Sequence, residues 1–78
     1  MWFVYLLECS DGTIYCGATN NVQKRVATHN AGYGAAYTRG RLPVELIRSF
    51  ECASKSEALK LEYKIKQLSR EAKLKFKR

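Results

Sequence analysis

Two β-rich apolar runs flank the turn signal Ser10-Asp11-Gly12. Residues 2–9 are apolar at both odd and even positions, so this strand has no face for solvent. Such a strand belongs at the centre of a sheet, covered on both sides. Thr13 to Thr19 supply its partner, and the two runs form a hairpin. The turn type decides which side chains share a face. A two-residue Asp11-Gly12 loop pairs Ser10 with Thr13 and puts Tyr5 and Tyr15 on opposite faces. A three-residue loop, with Gly12 left-handed in a G1 bulge, pairs Cys9 with Thr13. Tyr5 then faces Gly17, Leu7 faces Tyr15, and both tyrosines lie on one side.

After the hairpin the order reads helix, loop, strand, helix, short helix. Residues 21–30 form the first helix, capped by Asn20 or Asn21. Val22 and Val26 face inward, four apart, and Arg25 and His29 share a neighbouring face. Residues 31–43 hold Gly32, Gly34, Gly40 and Pro43 and read as a loop carrying Tyr33, Tyr37, Arg39 and Arg41. Residues 44–51 give a third strand. Ser54-Lys55-Ser56-Glu57 is a capping box that opens a long helix with the apolar stripe Ala58, Leu61, Ile65 and Leu68. Ser69 caps a final short helix that ends in Lys73, Lys75, Lys77 and Arg78. The expected fold class is α/β: one domain over residues 1–78, with a small three-stranded, mainly antiparallel sheet flanked by helices in the order β-β-α-β-α-α.

Charge narrows the partner. There are 14 Lys plus Arg against 7 Asp plus Glu, a net +7, which draws polyanions, nucleic acid first among them. No helix pairs a large apolar face with an all-basic one, so a membrane surface is not expected as the partner. Structural RNA-binding proteins share this balance, so charge alone does not argue for an enzyme. Cys9, Cys16 and Cys52 are odd in number and none forms a CxxC pair. They fit neither a disulfide framework nor a zinc site and read as reduced core residues of a cytoplasmic protein. The apolar N-terminus lacks a basic leader and ends at Glu8, too short for a signal peptide or a span.

Val4-Tyr5 in the first strand is followed by Tyr15-Cys16-Gly17, then Arg25 and His29, then Glu62 on a later helix. This ordered set resembles the GIY-YIG nuclease superfamily, and most of all its small standalone bacterial branch. The resemblance runs from Trp2 to about Lys73 and includes Tyr37-Thr38-Arg39 leading to Pro43. Three positions depart from it. Phe3-Val4-Tyr5 has no Gly, Cys16 stands where Ile is usual, and Ala18 stands where excision-repair members carry Lys. An Asn found after the metal-binding Glu in some members has no counterpart here.

The resemblance implies a divalent-metal-dependent endonuclease that hydrolyses DNA phosphodiester bonds with Mg²⁺ or Mn²⁺, with a place in DNA repair. Glu62 is the implied metal ligand. From the residues alone, an edge Glu pairing with Lys66 is equally open. Arg25 is implied to bind the scissile phosphate and stabilise the transition state; without the motif it is an exposed helix Arg. Tyr15 is the implied general base, with Tyr5 holding the water or phosphate or itself acting as base; without the motif both are core aromatics. His29 is implied to accept a tyrosine proton or touch phosphate, although a lone surface His is more often inert. Gly17 allows close approach of substrate. Tyr37, Arg39 and Arg41 are expected to stack on bases and grip the backbone, against a mobile loop with one tyrosine tucked in. The Lys/Arg run at the C-terminus reads as a solvated helix face. Both tyrosines in one site require the odd-length hairpin loop. The rival is a noncatalytic nucleic-acid-binding module or accessory subunit that retains the fold. Single-stranded, branched or damaged DNA, and RNA, all suit this pattern, and the small size leaves room for a protein partner in targeting.

Overall fold

In a computed structural model, residues 1–77 are described. The order is β1 Trp2–Glu8, β2 Ile14–Thr19, α1 Val22–Asn30, α2 Ala36–Arg39, β3 Glu45–Cys52, α3 Lys55–Lys66 and α4 Arg70–Lys75. The sheet order is β2-β1-β3, antiparallel on both sides, so the doubly apolar first strand is central as expected. The turn is the three-residue one. Gly12 N–H donates to the Cys9 carbonyl at 2.9 Å, Cys9 N–H donates to the Thr13 carbonyl at 2.9 Å, and Gly12 has φ 84°. Only glycine takes that conformation at no steric cost. Asp11 Oδ1 accepts from Thr13 N–H and from its hydroxyl, which braces the loop. Those bonds hold the Asp11 carboxyl below its ordinary pKa, with smaller help from Arg41. Tyr5 therefore pairs with Gly17 and Leu7 with Tyr15.

Residues 4–7 of β1 are all buried because the sheet is covered twice. On one face Val4, Leu6, Ile14, Cys16 and Cys52 pack with Ala58 and Ile65 of α3, and Leu74 and Phe76 close the edge. On the other face Tyr5, Leu7, Cys9 and Val44 pack with Tyr15, Val22, Val26 and Leu42. Each such aliphatic side chain contributes about 1.5–3 kcal/mol on burial, which is how a short chain holds two thin cores. The three cysteines are buried thiols, as core residues should be. Among the described residues, no helix is long and apolar enough to cross a membrane.

Some sequence expectations shift. Residues 31–43 are not all loop, because α2 lies within them. A four-residue helix is one turn long, too short to show a periodicity, and no side chain caps Ala35. Asn21, not Asn20, caps α1 by accepting from Lys24 N–H. In the capping box Ser54 Oγ accepts from Glu57 N–H, but Glu57 accepts from Ala53 N–H, one residue earlier than the usual pairing. Leu68 lies past the end of α3. Ser69 caps α4, which stops at Lys75; Lys77 lies beyond it, and Arg78 is outside the described residues. The β1–β3 register slips between Leu6 and Leu7, where Ile47 is the extra residue.

Candidate active site

The hairpin register puts Tyr5 and Tyr15 on one face, ring centroids 6.3 Å apart. Tyr5 lies across Gly17 of the neighbouring strand. A Cβ there would sit 2.6 Å from Tyr5 Cζ and closer still to its hydroxyl, so glycine makes the space the phenol fills. The spacing of Arg25 and His29 on α1 then matters. Both reach the Tyr5 hydroxyl: Arg25 Nε donates to Oη at 3.4 Å, and His29 Nε2 lies 3.0 Å from it. Burial pushes the Tyr5 pKa up, and the Arg25 contact pulls against that rise.

His29 is fully buried, not the surface residue a lone histidine suggests. Its Nδ1 is bonded to Thr38 Oγ1 at 2.8 Å, and the ring packs edge-on against Tyr15 with centroids 5.2 Å apart. Gly34 is to His29 what Gly17 is to Tyr5: a Cβ there would lie 2.7 Å from the imidazole Cγ. Burial, and secondarily the Arg25 charge, lower the His29 pKa from 6.5. The folded state therefore binds this proton less well than the unfolded state does. The contribution to stability is complete above about pH 6.5 and is lost as pH falls through the lower, folded value. Thermal midpoints are expected to fall between about pH 7 and about pH 5, and to fall less in a His29→Gln variant. Equal slopes in the two proteins would contradict a neutral, buried His29.

Glu62 projects from α3 at the edge of β2. Its side chain is only 16% exposed, and Oε2 accepts from Lys66 Nζ at 2.9 Å. Lys66 also lies over the Tyr15 ring, 5.9 Å from the centroid, and its pairing with Glu62 raises its pKa. A cavity of about 350 Å³ opens here, lined by Tyr15, Cys16, Tyr37, Lys66 and Lys73. Burial, then the Glu62 charge, push the Cys16 thiol up to about 12, so it stays protonated. Among the described residues no three His, Cys, Asp or Glu side chains converge as a metal cage. A lone carboxylate suits Mg²⁺ or Mn²⁺, which keep water and take phosphate oxygens as further ligands; it does not suit structural zinc.

The segment around α2 divides. Tyr37 is 41% exposed and packs on Tyr15 with centroids 5.9 Å apart. Arg41 stacks over Tyr37 at 4.1 Å, donates to its carbonyl, and pairs with Asp11 at 2.9 Å. Arg41 thus ties α2 to the hairpin turn. Arg39 is exposed and makes no hydrogen bond or ion pair among the described residues. Tyr33 is 81% exposed and is not part of this cluster.

Residues 1–75 match the family described as the GIY-YIG catalytic domain. The chain belongs to that family. A UPF0213 protein of Halobacterium salinarum is 63% identical over 70 residues, covering 90% of this chain and 91% of its own length. A UPF0213 protein of Streptococcus agalactiae is 54% identical over 72 residues, covering 92% and 82%. The solution NMR structure of a UPF0213 protein from Bacillus halodurans aligns with a TM-score of 0.59 at 46% identity, over 96% of this chain and 81% of that one. A second NMR structure, from E. faecalis, gives 0.63 at 39% identity, over 94% and 78%. A GIY-YIG domain is a nuclease-type domain, which binds nucleic acid as substrate.

In this GIY-YIG domain the sequence pattern identifies the tyrosines, Arg25, His29 and Glu62 but not Thr38 or Gly34. Thr38 lies in the Tyr37-Thr38-Arg39 segment that the resemblance includes, but nothing there assigns it a role, and Gly34 lies on no apolar stripe and in no recognised motif. The usable signal is local: a hydroxyl and a glycine near the only histidine.

Proposed function

We propose that residues 1–78 act as one endonuclease domain that hydrolyses DNA phosphodiester bonds with Mg²⁺ or Mn²⁺ held by Glu62. The observation that carries this reading is the Tyr5 hydroxyl, buried against Gly17 and held between Arg25 and His29. A core tyrosine needs one partner for its hydroxyl. This one has a cation and an imidazole, the pair needed to ionise it. Arg25 uses Nε on Tyr5 and presents its remaining N–H groups to a phosphate, beside a shallow cavity lined by Thr19, Asn20, Lys24 and Thr28. Tyr5 passes its hydroxyl proton to His29 Nε2 and takes one from the attacking water. Arg25 stabilises both the phenolate and the added charge on phosphorus. Tyr15, first in line for the base from sequence, has no such acceptor among the described residues and instead lines the cavity with Tyr37, while Arg39 and Arg41 grip the strand from the segment around α2. The metal, when bound, polarises the phosphate and offsets charge on the leaving oxygen. Three buried cysteine thiols suit a reducing compartment, which supports a cytoplasmic location.

The rival reading is a noncatalytic module or an accessory subunit, and the Glu62–Lys66 pair favours it, since that carboxylate already has a cation. Purified protein incubated with single-stranded, duplex and branched DNA, with Mg²⁺, Mn²⁺ or EDTA, separates the two. Cleavage with either metal and none with EDTA is the expected result. Binding without cleavage in every arm would leave the noncatalytic module.

A further inference from the structure

Thr38 is fully buried, and its hydroxyl oxygen makes two bonds. Oγ1 lies 2.9 Å from the Ala35 carbonyl and 2.8 Å from His29 Nδ1. A carbonyl can only accept, so the hydroxyl hydrogen goes to Ala35 and Oγ1 meets Nδ1 as an acceptor. The hydrogen of a neutral ring is then on Nδ1. Nε2 is bare, and Tyr5 O–H donates to it across 3.0 Å. In this arrangement every hydrogen has an acceptor.

The opposite tautomer fails at Tyr5. Thr38 N–H also donates to the Ala35 carbonyl, at 3.0 Å, so that carbonyl keeps a partner either way. At Tyr5 Oη, however, an Nε2–H would join Arg25 Nε–H as a second donor. The Tyr5 hydroxyl hydrogen would have no acceptor among the described residues, on a side chain that is 1% exposed. A buried donor without a partner is costly. The groups around the imidazole are Tyr5 of β1, Tyr15 of β2, Arg25 of α1 and Thr38 of α2; none of the others offers Nδ1 an alternative bond.

We propose that Thr38 is a positioning residue: it fixes His29 as the Nδ1–H tautomer, which leaves Nε2 free to take the proton of Tyr5. The catalytic consequence rests on the nuclease reading, whereas the tautomer does not. The test uses the full chain labelled with ¹⁵N. Its single histidine gives one imidazole pattern in two-bond ¹⁵N–¹H correlation spectra. At about pH 8 the wild type is expected to show a protonated Nδ1 and a bare Nε2. Thr38→Val keeps the volume and removes the acceptor. Its ring is expected to move toward the Nε2–H form and its cleavage rate to fall at least about tenfold, as when a tautomer-holding partner is removed. Thr38→Ser is expected to restore both readings, which a packing role would not do, since serine loses the methyl. A wild-type ring protonated on Nε2 overturns the proposal, and so does a folded Thr38→Val protein with the Nδ1–H pattern and full rate. If Thr38→Val does not fold, the wild-type and Thr38→Ser spectra decide. A wild type with the Nδ1–H pattern that cuts no DNA overturns the nuclease reading and upholds the role of Thr38.

Discussion

Glu62→Ala protein is expected to bind DNA as well as the wild type and to cut it at least about 10²-fold more slowly, a loss typical of removing one electrostatic contact made to a transition state. Charge sets the binding half of this result. The chain carries a net +7, and Glu62 is an acid paired with Lys66, which lines one cavity with Lys73. Removing it takes a repulsive charge away from phosphate, so metal-free binding stays equal or tightens. If the same carboxylate holds the metal, cleavage is lost together with the cation. Stability is not expected to obscure the result. The Glu62–Lys66 pair is an i,i+4 pair whose lysine is half exposed, worth about 0.3–0.5 kcal/mol. Lys66→Ala sharpens the test. Lys66 Nζ occupies the carboxylate that a metal would need, so its removal is expected to raise the apparent affinity for Mn²⁺ while cleavage persists. Folded Glu62→Ala protein cutting at near wild-type rate in Mg²⁺ would show that Glu62 is not the ligand, whatever the family pattern implies.

What the sequence discloses, and what it hides, follows the range of each interaction. The hairpin is readable because its turn signal is local, but Asp11-Gly12 suits a two-residue loop as well as a bulged one; only the family pattern, which needs Tyr5 and Tyr15 on one face, chooses the bulged turn that the structure shows. The central position of β1 is readable because an all-apolar strand has nowhere else to go. Helix starts at Ser54 and Ser69, and the first to within one residue at Asn21, are readable because a cap is a local bond. Burial of His29 is not. It depends on α2 closing over α1, and α2 is held by one turn of backbone, the Thr38 hydroxyl and the Arg41–Asp11 bridge, which spans 30 residues. No periodicity records such contacts. The slip at Ile47 is hidden for a similar reason, since a bulge is a relation between two strands. The family pattern names Tyr5 and His29 without saying that they touch. Only the geometry separates Tyr5, with two polar partners, from Tyr15, with aromatic neighbours and Lys66.

Gly34→Ala is expected to damage the fold and the site together, while Gly40→Ala, six residues on, does neither. Gly34 does not have a positive φ, so its backbone accepts alanine and only space decides. There is none: the added methyl would overlap the His29 ring, 2.7 Å from Cγ and nearer still to Nδ1. A buried imidazole bonded at both nitrogens cannot swing aside as a surface lysine would. Either His29 gives up Thr38 and Tyr5, or α1 and the 31–35 segment separate. Overpacking of this kind costs about 1–3 kcal/mol, and each kcal/mol moves the thermal midpoint of a domain this size by about 4–8 °C. Cleavage is expected to fall further than stability does, because the bond that is lost joins the proposed base to its proton acceptor. Gly40 also lacks a positive φ, and a methyl added there would meet nothing within 4 Å. Alanine at that position is expected to leave the midpoint unchanged or raise it slightly by restricting the unfolded chain. Thermal melts, DNA cleavage and the histidine ¹⁵N spectrum of both variants make the comparison. A Gly34→Ala protein with a wild-type midpoint, unchanged ring shifts and full cleavage would mean that the 31–35 segment does not press on His29, and Thr38 would then have no fixed ring to hold.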